Sequence, residues 1–221
     1  MAQYSQFAQQ FGKTREWLVW PEITTILEYT LDKNIAPKNI LDIGCWSGRF
    51  FQHITDLIPS DTLLVWIDPC RELLDIAIKG KYSQNNISWI EWSFEWMGSL
   101  HLGQFDMITA IASFHHIIGR DAAKKVVQSI LDHLVPNGYF AMTNWNLLDD
   151  QYQWKYGKYR REENHQIYYD IPFDGNHRRY IAWDVEDISN LFDPIHWNII
   201  LHTATPETEK NIITVVQKKS V

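Results

Sequence analysis

The residues best placed to do chemistry in this chain surround one short glycine-containing turn. Asp42-Ile43-Gly44-Cys45-Trp46-Ser47-Gly48 follows an apolar run and precedes a helical pattern. Gly44 can take backbone angles closed to other residues, and Gly48 lets the next helix pack close to the strand. A helix start offers unpaired N–H groups and the positive end of a dipole, which suit a carboxylate. Further on, a second apolar run ends in Asp68-Pro69. An acid at the end of the neighbouring strand can accept both hydroxyls of a ribose. NAD would use the same layout, yet the G-x-G-x-x-G fingerprint is absent and nothing is arranged for a pyrophosphate.

These positions meet only if alternating strands and helices bring them together. Ile40-Leu41-Asp42-Ile43 reads as a first strand, followed by a helix over 47–58. Residues 63–67 read as a strand and 71–78 as a helix. Strands are expected over 87–92 and 105–111, with a helix over 121–134. Pro136-Asn137-Gly138 reads as a turn before a strand over 139–143. This alternation predicts an α/β domain with a parallel sheet and right-handed crossovers. The rhythm breaks between 144 and 183, which reads as an insertion after the fifth strand. Asp184 is a plausible cap for a helix reaching Leu191, and 197–201 with 212–216 read as a terminal hairpin. At the front, Pro21 suits the first turn of a helix carrying Ile23, Ile26, Leu27 and Leu31, so residues 1–34 are expected to form a helical cap. The whole chain, 1–221, is read as a single domain.

The segment from Ile40 to Gly48 resembles motif I of class I S-adenosylmethionine-dependent methyltransferases. Asp68, Phe105-Asp106-Met107-Ile108-Thr109-Ala110 and Leu134-Val135-Pro136-Asn137-Gly138 resemble further family segments in the same order. The resemblance implies a Rossmann-like, doubly wound seven-stranded sheet with an antiparallel last strand. It implies S-adenosylmethionine as cofactor, held by Asp42, Gly44, Cys45, Trp46, Gly48, Asp68, Pro69, Ser93, Phe94, Ala110 and Ile111. Two positions depart from the family. Trp46 replaces the middle glycine of the loop, and Ser93 stands where an acid often meets the adenine amino group.

A closer resemblance is to the tRNA wobble-uridine carboxymethyl methyltransferases and their bacterial relatives. Phe11-Gly12-Lys13-Thr14-Arg15 with Trp20-Pro21 looks like their entry segment. Ala110-Ile111-Ala112-Ser113-Phe114-His115-His116 looks like their fourth-strand signature. Asp170-Ile171-Pro172-Phe173 and Arg179-Tyr180 look like their later segments, although Ile181 and Ala182 depart from the pattern. The resemblance implies that the N-terminal segment closes over the cofactor, with Arg15 reaching the methionine carboxylate or the acceptor. In methyl transfer a carboxylate acceptor needs no base, whereas a hydroxyl or amine would call on His115 or His116. Trp145 and Asn146 are candidates for the acceptor pocket.

Residues 154–161 alternate Trp154, Tyr156 and Tyr159 with Lys155, Lys158, Arg160 and Arg161. Cations meet phosphates and aromatic faces stack on bases, so Arg160, Arg161, Arg179 and Tyr180 are candidate acceptor contacts for tRNA. The alternative is a solvated loop whose arginines pair with Glu162 and Glu163. The net charge of −7 confines any RNA site to a local patch. A small carboxylate or other metabolite is the second acceptor reading, and a non-catalytic binding relative is the third. The need for an activator subunit stays open. The nine histidines and two cysteines show no metal-ligand spacing. Cys45 and Cys70 both fall in turns after strands, which leaves a disulfide open, but unpaired thiols in a reducing cytoplasm are expected. No apolar run reaches the roughly 18 residues of a membrane span, and the N-terminus lacks the pattern of a secretory signal.

Overall fold

Alternation of side chains along the first strand builds the two sides of the core. The computed structural model describes residues 20–31, 36–48, 50–79, 86–173, 175–204 and 210–220. In β1 (Asn39–Ile43), Leu41 and Ile43 feed one apolar cluster while Ile40 feeds the other, as a period of two requires. The other strands are β2 (Leu63–Asp68), β3 (Ile87–Glu91), β4 (Phe105–Ile111), β5 (Leu134–Trp145), β9 (Trp197–Ala204) and β10 (Asn211–Lys218). They form one seven-stranded sheet in the order β3-β2-β1-β4-β5-β10-β9. β1 to β5 pair in parallel, and β10 runs antiparallel to both β5 and β9. This is the doubly wound seven-stranded sheet with an antiparallel last strand expected from the sequence.

Helices cover both faces. α1 (Pro21–Thr30) has proline in its first turn and buries Ile23, Ile26 and Leu27 on one side of the sheet. α4 (Arg120–His133) buries Val126, Val127 and Ile130 on the other. Lys218 donates to the carbonyls of Leu131 and Leu134 at its end (2.8 and 2.7 Å), supplying the cation a helix C-terminus favours. Asp184 caps α6 (Val185–Ser189) by accepting the Asp187 N–H. Between them in chain order lie α2 (Phe51–Ile54), α3 (Arg71–Lys79) and α5 (Asp150–Tyr156). No described helix is long and apolar enough to cross a membrane.

The structure differs from the sequence reading in three places. The helix expected over 47–58 is reduced to α2, because Gly48 has φ +80° and its N–H closes a turn onto the Cys45 carbonyl (3.0 Å). The turn at Pro136-Asn137-Gly138 lies inside β5 as a bulge: Phe105 pairs Leu134, while Met107 pairs Tyr139. Asn137 takes φ +63° there. Most of the insertion is regular. α5 leads into β6 (Arg160–Glu163), β7 (Gln166–Phe173) and β8 (Asn176–Ile181), a three-stranded antiparallel sheet. Asn164 and His165 both have positive φ (+50° and +60°) in the two-residue link between β6 and β7. Of the expected N-terminal cap, residues 1–19 and 32–34 lie outside the described residues, and Arg15 with them.

Candidate active site

β1 pairs β2 on one side and β4 on the other, so the strand order reverses at its carboxyl end, where open α/β sheets bind ligands. The Gly44 and Cys45 N–H groups both donate to the Ile67 carbonyl (2.7 and 3.0 Å), tying this loop to β2. Gly44 has φ +70°, and a Cβ there would come within 2.4 Å of Ser113 Cβ. Ser113 in turn donates to the Ile43 carbonyl (2.8 Å), so glycine is required by both backbone and neighbour. Trp46 follows at φ +57°, a conformation that costs an L-residue about 1–2 kcal/mol. Asp68 offsets that cost. Its Oδ2 accepts the Trp46 N–H and its Oδ1 accepts the Cys70 N–H, each at 2.8 Å. The carboxylate is 6% exposed and joins the loops after β1 and β2.

Above these loops opens a cleft of about 670 Å³, its mouth included. Gly44, Trp46, Asp68, Pro69, Leu73 and Phe94 line it from the loops after β1, β2 and β3. Ala112, Ser113, His115, His116, Trp145, Arg178 and Tyr180 line it from the segment after β4, the end of β5 and β8. Gly44 also borders a smaller cavity beneath α1, with Trp20, Asp42, Cys45 and Ile111. There Asp42 accepts from the Thr109 hydroxyl (2.7 Å). Thus Gly44, Trp46, Asp68, Pro69 and Phe94 meet in one cleft, and Asp42, Cys45 and Ile111 lie on its far side across Gly44. Ala110 is in the core. Ser93 is buried beside Phe94 without reaching the cleft lining, and Asn146 sits in the turn after β5.

The acceptor candidates separate by strand face. Arg160 pairs with Glu162 (3.2 Å). Arg161 donates to the carbonyls of Arg160 (2.8 Å) and Lys158 (3.4 Å). Arg179 holds Asp170 through two bonds of 2.8 and 2.9 Å and Glu163 at 3.2 Å, which keeps the Asp170 carboxyl below its usual range. None of these three arginines lines the cleft. Arg178, which sequence reasoning passed over as a site residue, shares a face of β8 with Tyr180 and is 4% exposed. Its guanidinium lies 4.4 Å from the Phe173 ring centre and 5.4 Å from that of Tyr180. Trp145 stacks on Tyr180 at 5.0 Å and on Tyr152 at 5.8 Å.

Both histidines are held away from base chemistry. His115 is 1% exposed, and its Nδ1 accepts the Trp145 N–H (3.3 Å), so the neutral ring carries its proton on Nε2. His116 packs 4.6 Å from Tyr180. Burial, and then the charge of Arg178, push its pKa down to about 3, against the opposing bond from the Arg179 backbone. A histidine depressed from 6.5 contributes stability that is fully present above that value and is lost as pH falls toward 3. Between pH 7 and pH 5, the urea midpoint of the wild type should therefore fall further than that of His116→Gln. Equal losses would show that His116 titrates normally. Cys45 and Cys70 are buried and not joined by a disulfide, and burial chiefly pushes the Cys70 thiol up to about 12. Among the described residues no group of three or more His, Cys, Asp or Glu could hold a metal.

A family model described as a methyltransferase domain matches residues 15–193. No curated protein matches the chain. Among solved structures, an S-adenosylmethionine-dependent methyltransferase from Clostridium acetobutylicum is similar at 17% identity and TM-score 0.66, covering 98% of this chain and 99% of that one. A Haloferax volcanii chain, from a complex of a methyltransferase with an activator, is similar at 12% identity and TM-score 0.69, covering 98% of each. The N-methyltransferase NodS of Bradyrhizobium japonicum, solved with S-adenosyl-L-homocysteine, is similar at 15% identity and TM-score 0.61, covering 90% of this chain and 86% of that one.

Proposed function

This chain belongs to the methyltransferase domain family, and from that premise we propose that it moves the methyl group of S-adenosylmethionine onto a carboxylate. The donor set of the cleft fits this cofactor. A carboxylate accepts about four hydrogen bonds, so the two N–H groups on Asp68 do not prevent it from serving ribose hydroxyls. Phe94, Leu73 and the Trp46 indole offer apolar walls to a purine. When bound, the cofactor supplies a methyl group on a positively charged sulfur that leaves readily. The chain's part is to align the acceptor and to exclude water.

The acceptor class follows from what the cleft lacks in basicity. With the His115 Nδ1 occupied by the Trp145 N–H, that ring presents a donor. A hydroxyl or amine acceptor would find no base in either histidine, whereas a carboxylate arrives ionised. Arg178 supplies the matching charge at the insertion end. The single observation that carries this reading is the His115–Trp145 bond beside Arg178.

Two sources of such a carboxylate are in view. A carboxymethylated uridine in tRNA is supported by the likeness of residues 170–173 and 179–180 to the wobble-uridine enzymes. It is also supported by Trp154, 90% exposed, in a stretch where Lys155 lies over the Tyr156 ring and Lys158 over the Tyr159 ring. A small carboxylic acid is supported by the pairing of Arg160 and Arg179 with acids and by the net charge of −7. Two cysteines outside any disulfide accord with work in a reducing cytoplasm.

A methyl ester is cleaved by mild base, and this supplies the test. With a methyl-labelled donor, and bulk tRNA or a panel of carboxylic acids as acceptor, the label should leave as volatile methanol after alkali. Assays belong with and without a candidate activator, since the similar Haloferax volcanii chain was solved in a complex with one. Label that stays on the acceptor through alkali would overturn the carboxylate reading.

A further inference from the structure

Trp46 stands where the resembling family has a glycine, and its side chain connects the two ends of the cleft. With its backbone at φ +57°, the indole is carried away from Gly44 into a cluster with Cys70 and Leu73. Phe173, at the end of β7, packs against that same cluster. The Arg178 guanidinium lies over the Phe173 ring, 4.4 Å from its centre. Tyr180, next to Arg178, stacks on Trp145 and packs at a tilt against His116. A continuous packed path therefore runs from the loop that holds Asp68 to the cation at the acceptor end. Its first member is anchored by the Asp68–Trp46 hydrogen bond (2.8 Å). Arg178 and Phe173 occupy the hairpin of a separate three-stranded sheet, so the rigidity of the seven-stranded sheet does not by itself set their position.

We propose that Trp46 is a positioning residue: through the cluster it shares with Phe173 it sets the Arg178 guanidinium, so that cofactor bound against the loop after β1 stiffens the anion-binding end of the cleft. The inference rests on the cofactor reading given above. It makes cofactor and acceptor binding mutually reinforcing, because whatever stiffens the loop further also removes freedom from the arginine that meets the acceptor. A carboxylate then binds in second place to a preformed site. The coupling runs both ways, as linkage requires.

The test needs no acceptor. Amide hydrogen exchange of β7 and β8 is measured with and without S-adenosylhomocysteine, whose binding is followed separately by calorimetry. In the wild type the product should slow exchange in the β7–β8 hairpin by about tenfold, a typical size for coupling between sites. In Phe173→Leu the product should still bind within about twofold of wild type, with the hairpin slowing mostly lost. Trp46→Gly should lose it as well, and Trp46→Phe, which keeps a ring in the cluster, should retain part of it. If the product binds but the hairpin does not respond, the positioning role is wrong while the cofactor reading stands. Slowing that survives intact in Phe173→Leu would also overturn the path, because the hairpin would then be sensing the ligand directly. No calorimetric binding to the wild type would instead remove the cofactor reading itself.

Discussion

Asp68→Ala should lose at least tenfold, and up to about a hundredfold, in affinity for S-adenosylmethionine and its demethylated product, because a hydrogen bond to a charged group is worth about 1.5–3 kcal/mol. The same substitution should also loosen the fold around the site. Asp68 accepts the Trp46 and Cys70 N–H groups, and both residues are buried, so alanine leaves two donors without their carboxylate. Each such loss costs about 1–3 kcal/mol, and 1 kcal/mol lowers the melting temperature of a chain of this size by about 2–4 °C. Asp68→Asn separates the two effects. Its amide oxygen keeps one backbone bond and its charge is gone, so it should melt closer to wild type while still losing about tenfold in affinity. Calorimetric titration and thermal melts on the three proteins measure both quantities. Wild-type affinity in a folded Asp68→Ala would remove Asp68 from the cofactor site.

The second large effect is expected at the acceptor end. Truncating one partner of a buried, hydrogen-bonded charge pair costs about 2–5 kcal/mol, so Arg178→Ala should lower kcat/KM by about 30- to 5,000-fold. Arg178→Lys keeps the charge but gives up the flat guanidinium that lies against Phe173 and Tyr180, and it should recover only part of the loss. Affinity for the demethylated product alone should change little in either variant. Arg179→Ala is the internal control. It breaks the pair with Asp170 and Glu163 outside the cleft, so any effect on kcat/KM should be small beside that of its neighbour. Rates are read as base-released methanol with whichever carboxylate supports wild-type turnover. An Arg178→Ala protein that folds and turns over normally would place the acceptor elsewhere.

The exchange of weight between Arg178 and Arg179 shows where sequence reasoning stops. Adjacent residues on a strand face opposite ways, so picking the functional one requires knowing which face of β8 turns toward the cleft. That is decided by how the three-stranded sheet lies against β5, a contact between segments far apart in the chain. The sheet itself was signalled only faintly. Arg160, Arg161, Glu162 and Glu163 are all exposed in β6, so no apolar alternation marks that strand. Its local cues were in the links: Asn164-His165 with both residues at positive φ, and the Asp174-Gly175 dipeptide before β8, with Gly175 at φ +77°.

What the sequence alone determined is the part governed by local rules. Apolar runs with two-residue alternation, the proline opening α1 and the Asp184 cap identify most elements of the α/β frame. The glycine at position 44 and the acid ending β2 point to the ligand-binding end of the sheet. Tertiary structure decided the rest. Gly48 ends a turn instead of opening a helix, because its N–H finds the Cys45 carbonyl. Asp68 is committed to two backbone donors as well as to any ligand. Trp46 sends its indole toward Cys70 and Leu73, and His115 becomes a donor because its Nδ1 meets the Trp145 N–H. Each of these outcomes depends on which group a flexible or ambivalent residue finds across the fold, and that partner is set by packing between distant segments.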